Sequence, residues 1–165
     1  MTSALGFEDE LSALLPRLRR FAHGLSRNPA DADDLTQLTI ERALRSRDQW
    51  QAGTRLDSWT YRIMRNLWID TARSRVRKEK FEAPPEEGES VGQDPRDAIQ
   101  ASIDLKRVMA AMERLPDEQR EVVALILIEG FGYREASELL DLPIGTVSSR
   151  LVRGRTALLA MVGER

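Results

Sequence analysis

Arg150, Arg153 and Arg155 lie within one turn and a half of a helical stretch that also carries Thr146, Ser148 and Ser149. A guanidinium group can bond two acceptors of a guanine edge at once, and serines are short enough to let a helix approach closely. That is the chemistry of reading DNA rather than of making or breaking bonds. The preceding segment supports it. Tyr133, Ala136, Leu139 and Leu140 fall on one face of a predicted helix, with Arg134, Glu135 and Glu138 on the other. Asp141-Leu142-Pro143 makes a turn, with Leu142 expected to fill the angle between the helices. A second helix follows, with Val147, Leu151 and Leu158 toward the core. This pattern is a helix-turn-helix. Thr146 is expected to cap the second helix, its hydroxyl taking a free backbone N–H, and the helix start could receive a phosphate. Ser148, Ser149, Val152 and Arg153 are left facing outward. A solvated amphipathic helix with ordinary surface arginines is the competing reading.

Composition narrows the remaining classes. The 165 residues suffice for one sizeable core or two small ones. Aromatic residues are 5% of the chain and β-branched runs are short, which favours an all-α fold. The absence of cysteine excludes disulfides, thiol catalysis and cysteine-ligated zinc. One histidine, His23, makes a histidine metal site or a Ser-His-Asp triad a poor reading. No glycine-rich phosphate loop is present, so neither an enzyme nor a cofactor is expected. No apolar run approaches the roughly 20 residues that span a bilayer, and the N-terminus is acidic where a signal peptide is basic. A cytoplasmic protein without membrane insertion is expected. The net charge of −2 is low for a protein that grips DNA unaided.

The elements that must position these residues fall into two groups. Residues 8–27 place Leu11, Leu14, Leu15, Leu18, Phe21, Ala22 and Leu25 on one helical face, with Pro16 interrupting or stiffening its start. Asn28-Pro29 is expected to end that helix, since the residue before proline avoids the α region. Ala30–Arg47 reads as a second helix. Thr54–Met64 and Trp68–Lys80 read as two more, separated by a break at Arg65–Leu67. Phe81–Asp97 holds three prolines, two glycines and six acidic residues against one arginine, and reads as a flexible acidic linker. Periodicity resumes at Ile99 with Ile103, Met109, Met112 and Leu115. Leu115-Pro116-Asp117 breaks it, and an almost wholly apolar helix then runs to Gly130. The organisation read here is two small helical domains, 8–80 and 98–162, joined by residues 81–97. No attached module is expected beyond Arg165.

Segments 31–44 (DADDLTQLTIERAL) and 56–78 (LDSWTYRIMRNLWIDTARSRVRK) closely resemble the second conserved region of bacterial RNA polymerase sigma factors. Segments 115–123 (LPDEQREVV), 129–140 (EGFGYREASELL) and 142–155 (LPIGTVSSRLVRGR) resemble the fourth region of the short extracytoplasmic-function (ECF) group. The resemblance implies a protein that catalyses nothing itself, binds polymerase core through its clamp coiled coil and flap, and recognises promoter DNA. It implies that Asp34, Gln37 and Glu41 dock on the clamp, Leu38 standing where many relatives carry an acid. It assigns the −10 element to Asn66, Leu67, Trp68 and Asp70, with Arg73 and Arg77 among the basic residues that hold phosphate. Trp68 stacks on a base or packs in the core; Trp59 and Ile63 read as core. The −35 element falls to Ser148, Ser149, Val152 and Arg153, with Thr146, Arg150 and Arg155 nearer the sugar-phosphate chain. An anti-sigma protein is implied as a partner. The linker acids imitate phosphate in a basic channel or merely solvate a tether. The alternative is a stand-alone helix-turn-helix regulator, which would dimerise on a palindromic site.

Overall fold

The computed structural model describes residues 6–79 and 100–163, with side chains described for 6–74 and 106–163. Every regular element among the described residues is helical, and the chain divides into two units between Pro85 and Glu86. The proposed linker, residues 81–97, lies outside the described residues.

In the first unit, α1 (Phe7–Leu25) buries Leu11, Leu18, Phe21, Ala22 and Leu25 on the predicted face. Pro16 sits on the exposed side of an unbroken helix, where the Ser12 carbonyl that loses its N–H partner can meet water. The Asn28-Pro29 pair acts on the other side of the boundary from the one expected. α1 has already ended at Leu25, and Asn28 is the N-cap of α2 (Pro29–Arg45), its Oδ1 accepting the Ala30 N–H at 2.8 Å. Proline at N1 costs that helix nothing, because its first N–H has no helical partner in any case.

A short 3₁₀ turn (Arg47–Gln49) leads toward α3 (Leu56–Glu79), which is one continuous helix. The break expected at Arg65–Leu67 is absent. No glycine or proline stands there, and arginine and leucine are good helix formers, so nothing interrupts the hydrogen-bond ladder. Phe21 of α1 stacks on Tyr61 of α3 with centroids 4.8 Å apart and planes 8° from parallel. Met64, fully buried, continues this core. Asp57 ties α1 to the start of α3: its carboxylate takes a two-pronged bond from Arg55 at 2.8 and 3.1 Å and a third from Arg17 at 3.3 Å.

The second unit contains α4 (Gln100–Glu113), α5 (Asp117–Val123), α6 (Tyr133–Leu140) and α7 (Ile144–Gly163). α5 runs into a π turn, Ala124–Ile128, closed by Glu129 N–H on the Ala124 carbonyl at 2.9 Å. Gly130 then turns the chain at φ +79°, a conformation that suits a residue without Cβ. Arg120 is buried, and its guanidinium bonds the Leu115 carbonyl at 3.0 Å and Asp117 at 2.6 Å, pinning the α4–α5 corner. Gly154 of α7 lies against α5, where a Cβ would stand 2.8 Å from a Val123 methyl and 3.3 Å from the Gln119 Cβ. Among the described residues no helix is long and apolar enough to cross a membrane.

Candidate nucleic-acid interface

In the first unit, the end of α2, the 3₁₀ turn and α3 line a half-open pocket of about 140 Å³. Its lining is Arg42, Ser46, Gln49, Trp59, Ile63, Asn66, Leu67 and Asp70. The five residues from α3 recur at steps of four, three, one and three, so one helix face supplies them all. The pocket's volume is close to that of a cavity able to hold one benzene ring, but it is open to solvent and largely polar. Its walls combine an indole and two aliphatic side chains with two amides, a hydroxyl, a carboxylate and a guanidinium. Such a lining can hold a flat heterocycle by its faces and by its edge.

Asn66 occupies the seam between this face and the next. Arg62 and Arg73 follow the same helix at positions four before and seven after it, and both are exposed. The arrangement sets cationic side chains along one border of a ring-sized cavity, suited to phosphates attached to whatever the cavity holds. Of the residues assigned from sequence, Asn66, Leu67 and Asp70 share the cavity, and Arg73 lies one to two turns further on. Trp68 does not line it. It is half-buried on the side of α3 that carries Tyr61 and Met64, seven and four residues earlier. Arg77 belongs to α3, but its side chain lies outside those described. Trp59 and Ile63, read as core, are half-buried lining residues instead.

Arg42, Ser46 and Gln49 were not anticipated. The expected break in α3 concealed the signal for Trp59 and Ile63, because helical spacing continues backward from Asn66 only if the helix does. The other three come from the segment before α3, and no periodicity in the sequence points to them.

In the second unit the turn between α6 and α7 is closed by one residue. Ser137 Oγ donates to the Leu142 carbonyl, and the Leu142 N–H donates to the Ser137 carbonyl at 3.0 Å. Asp141 takes the left-handed conformation, φ 55°, that such a helix end requires. α7 begins at Ile144, three residues before Val147, the first helical residue expected if Thr146 were the cap. Pro143 supplies the carbonyl that receives the Val147 N–H at 3.1 Å, so Thr146 is inside the first turn and is not the cap. Val147, Leu151 and Gly154 are buried, while Ser149, Val152, Arg153 and Arg155 are exposed. Ser148 and Thr146 are half-buried at the edge. Arg150 turns toward α5 and pairs with Glu118 at 3.6 Å. Thr156, exposed four residues beyond Val152, extends the outward stripe and was not anticipated.

On α2, Asp34, Gln37 and Glu41 are exposed on one face with Leu38 among them, 44% accessible.

Residues 11–78 match the family model for sigma-70 region 2, and residues 105–158 match that for sigma-70 region 4. Those two modules in that order define a transcription initiation factor. The chain is 36% identical over 154 residues to the ECF RNA polymerase sigma factor EcfG of Rhodopseudomonas palustris, covering 93% of this chain and 83% of that one. It is 30% identical over 166 residues to the ECF sigma factor SigW of Bacillus subtilis, covering 92% and 86%. The sigma factor RpoE of Bartonella quintana, solved in complex with the anti-sigma factor NepR, matches with a TM-score of 0.83 and 31% identity. That match covers 96% of this chain and 98% of the other. The chain belongs to the ECF RNA polymerase sigma factors. It binds polymerase core, recognises the −35 and −10 promoter elements and initiates transcription.

Proposed function

We propose that the cavity of the first unit receives one unstacked base of the −10 element, with the Asn66 amide reading its edge. Leu67 and Asp70 complete the wall, while Arg73 and Arg77 hold the adjoining phosphates and Trp68 supports the helix from the core side. The observation that carries this reading is a ring-sized space with an amide at its rim, bordered by exposed arginines on the same helix. The outward face of α7 reads the −35 element through Ser149, Val152 and Arg153, with Ser148 at its edge. The exposed Val152 suits a thymine methyl. Thr146 and Arg155 lie nearer the phosphates. Arg150, engaged with Glu118, acts more on the fold than on the bases.

The α2 face around Leu38, with Asp34, Gln37 and Glu41, docks on the clamp coiled coil of polymerase, and the second unit meets the flap. An anti-sigma protein covers these faces when the factor is idle; the related RpoE was solved in complex with the anti-sigma factor NepR. Polymerase carries out the chemistry, in the cytoplasm, and this chain supplies recognition.

Asn66→Ala tests the central assignment. Transcription by holoenzyme on promoters varied through the −10 element should lose about 1–3 kcal/mol of discrimination at one position. Affinity for core polymerase should stay unchanged. Unaltered base preference would remove Asn66 from the reading.

A further inference from the structure

We infer that Phe7, braced by Arg47 and Glu8, is a positioning residue that fixes the walls of the cavity and thereby its base preference. The inference rests on the reading that this cavity receives a −10 base. Phe7 is the first residue of α1 and lines no part of the cavity. Its ring nonetheless touches both segments that build the walls. It meets Trp59, a lining residue of α3, at 6.0 Å and 72°, edge to face. It meets Trp50, which closes the 3₁₀ turn, at 5.6 Å and 51°. Ser46 and Gln49, on that same turn, are lining residues.

A second contact holds the wedge in place. The Arg47 guanidinium lies 5.0 Å over the Phe7 ring and pairs with Glu8 at 3.3 Å, so the turn grips the start of α1 through a cation–π contact and an ion pair. The Trp50 indole N–H is buried with no hydrogen-bond partner among the described residues, and its ring packs against Phe7. Loss of the Phe7 ring would free the turn to move and let Trp50 seek water. The distance between the Ser46–Gln49 segment and the Trp59 face would then no longer be set.

Holoenzyme reconstituted from the full chain and core polymerase provides the test. Transcription is measured on promoters carrying each of the four bases at each −10 position. Thermal stability and core affinity are measured alongside. Phe7→Ala and Phe7→Leu, which remove the ring faces, should each reduce base discrimination at one position by about tenfold. Phe7→Tyr should preserve it. Arg47→Ala, at an exposed site, should give a smaller loss at the same position. Reduced total transcription with an unchanged preference ratio would mean a merely structural role and would overturn the inference. If Phe7→Ala does not fold, the ratios from Phe7→Leu and Arg47→Ala decide. Asn66→Ala separates the two levels. A preference shift there but not in the Phe7 variants removes only this inference, whereas no shift in either removes the cavity reading as well.

Discussion

Two arginines of α7 look alike in sequence and differ in what they are free to do. Arg153 is exposed on the outward stripe, while Arg150 is spent on Glu118. Arg153→Ala should therefore cost about 1–3 kcal/mol of discrimination among −35 variants, if one bidentate base contact is lost. Arg150→Ala should change that discrimination little. Competition binding by holoenzyme on −35 variants reads both, and equal losses would refute the distinction. Asp57 carries a different burden. Partial burial acts to raise its pKa, but hydrogen bonds from Arg55 and the Ser58 N–H, with the charges of Arg55 and Arg17, bring it below the ordinary carboxylate value. A lowered folded-state pKa contributes stability above the unfolded value and loses it as pH falls through the folded one. Asp57→Asn should thus cost about 1–2 kcal/mol at neutral pH. In denaturant titrations the gap to wild type should begin to close as pH falls below about 3.9. A gap that stays constant into acid would show that the charge is not what stabilises.

At the scale of elements, close packing of α7 on α5 depends on Gly154. Alanine there would gain up to about 1 kcal/mol of helix propensity. Against that stands a contact at 2.8 Å with a β-branched side chain whose rotamer is stiff. Overpacking at such a site costs about 1–3 kcal/mol, so Gly154→Ala should lower stability on balance, as read by thermal unfolding. An unchanged or raised midpoint would show that the helices can part without cost. The two-unit helical architecture and the helix-turn-helix were legible in the sequence, because amphipathic spacing and a proline-bearing turn report directly on local structure. Helix boundaries were not. The sequence reading places a break at Arg65–Leu67, although local propensity favours an unbroken helix. Thr146 has the chemistry of a cap, yet the Pro143 carbonyl takes that role. Three cavity residues, Arg42, Ser46 and Gln49, come together with α3 only through tertiary packing, which leaves no periodic mark.

At the scale of the whole molecule, charge and partner explain each other. A net charge of −2 gives a free chain little attraction to DNA, since phosphate neutralisation supplies much of such affinity. Basic side chains are concentrated on α3, and α7 carries three arginines and no acid, while acids dominate residues 82–97 and flank Leu38 on α2. Recognition is thus divided between two modules, and it is expected to become effective when polymerase presents both to one promoter. Linking two weak contacts turns the second into an intramolecular event, which raises avidity without any new interaction. The most direct test is transcription by purified core polymerase with this chain added, on templates bearing both promoter elements, either one, or neither. The account predicts a defined transcript that depends on the added chain and on both elements, with little binding of the chain alone to the same duplex. Tight, specific binding of promoter duplex by the isolated chain, with no association with core polymerase, would contradict it.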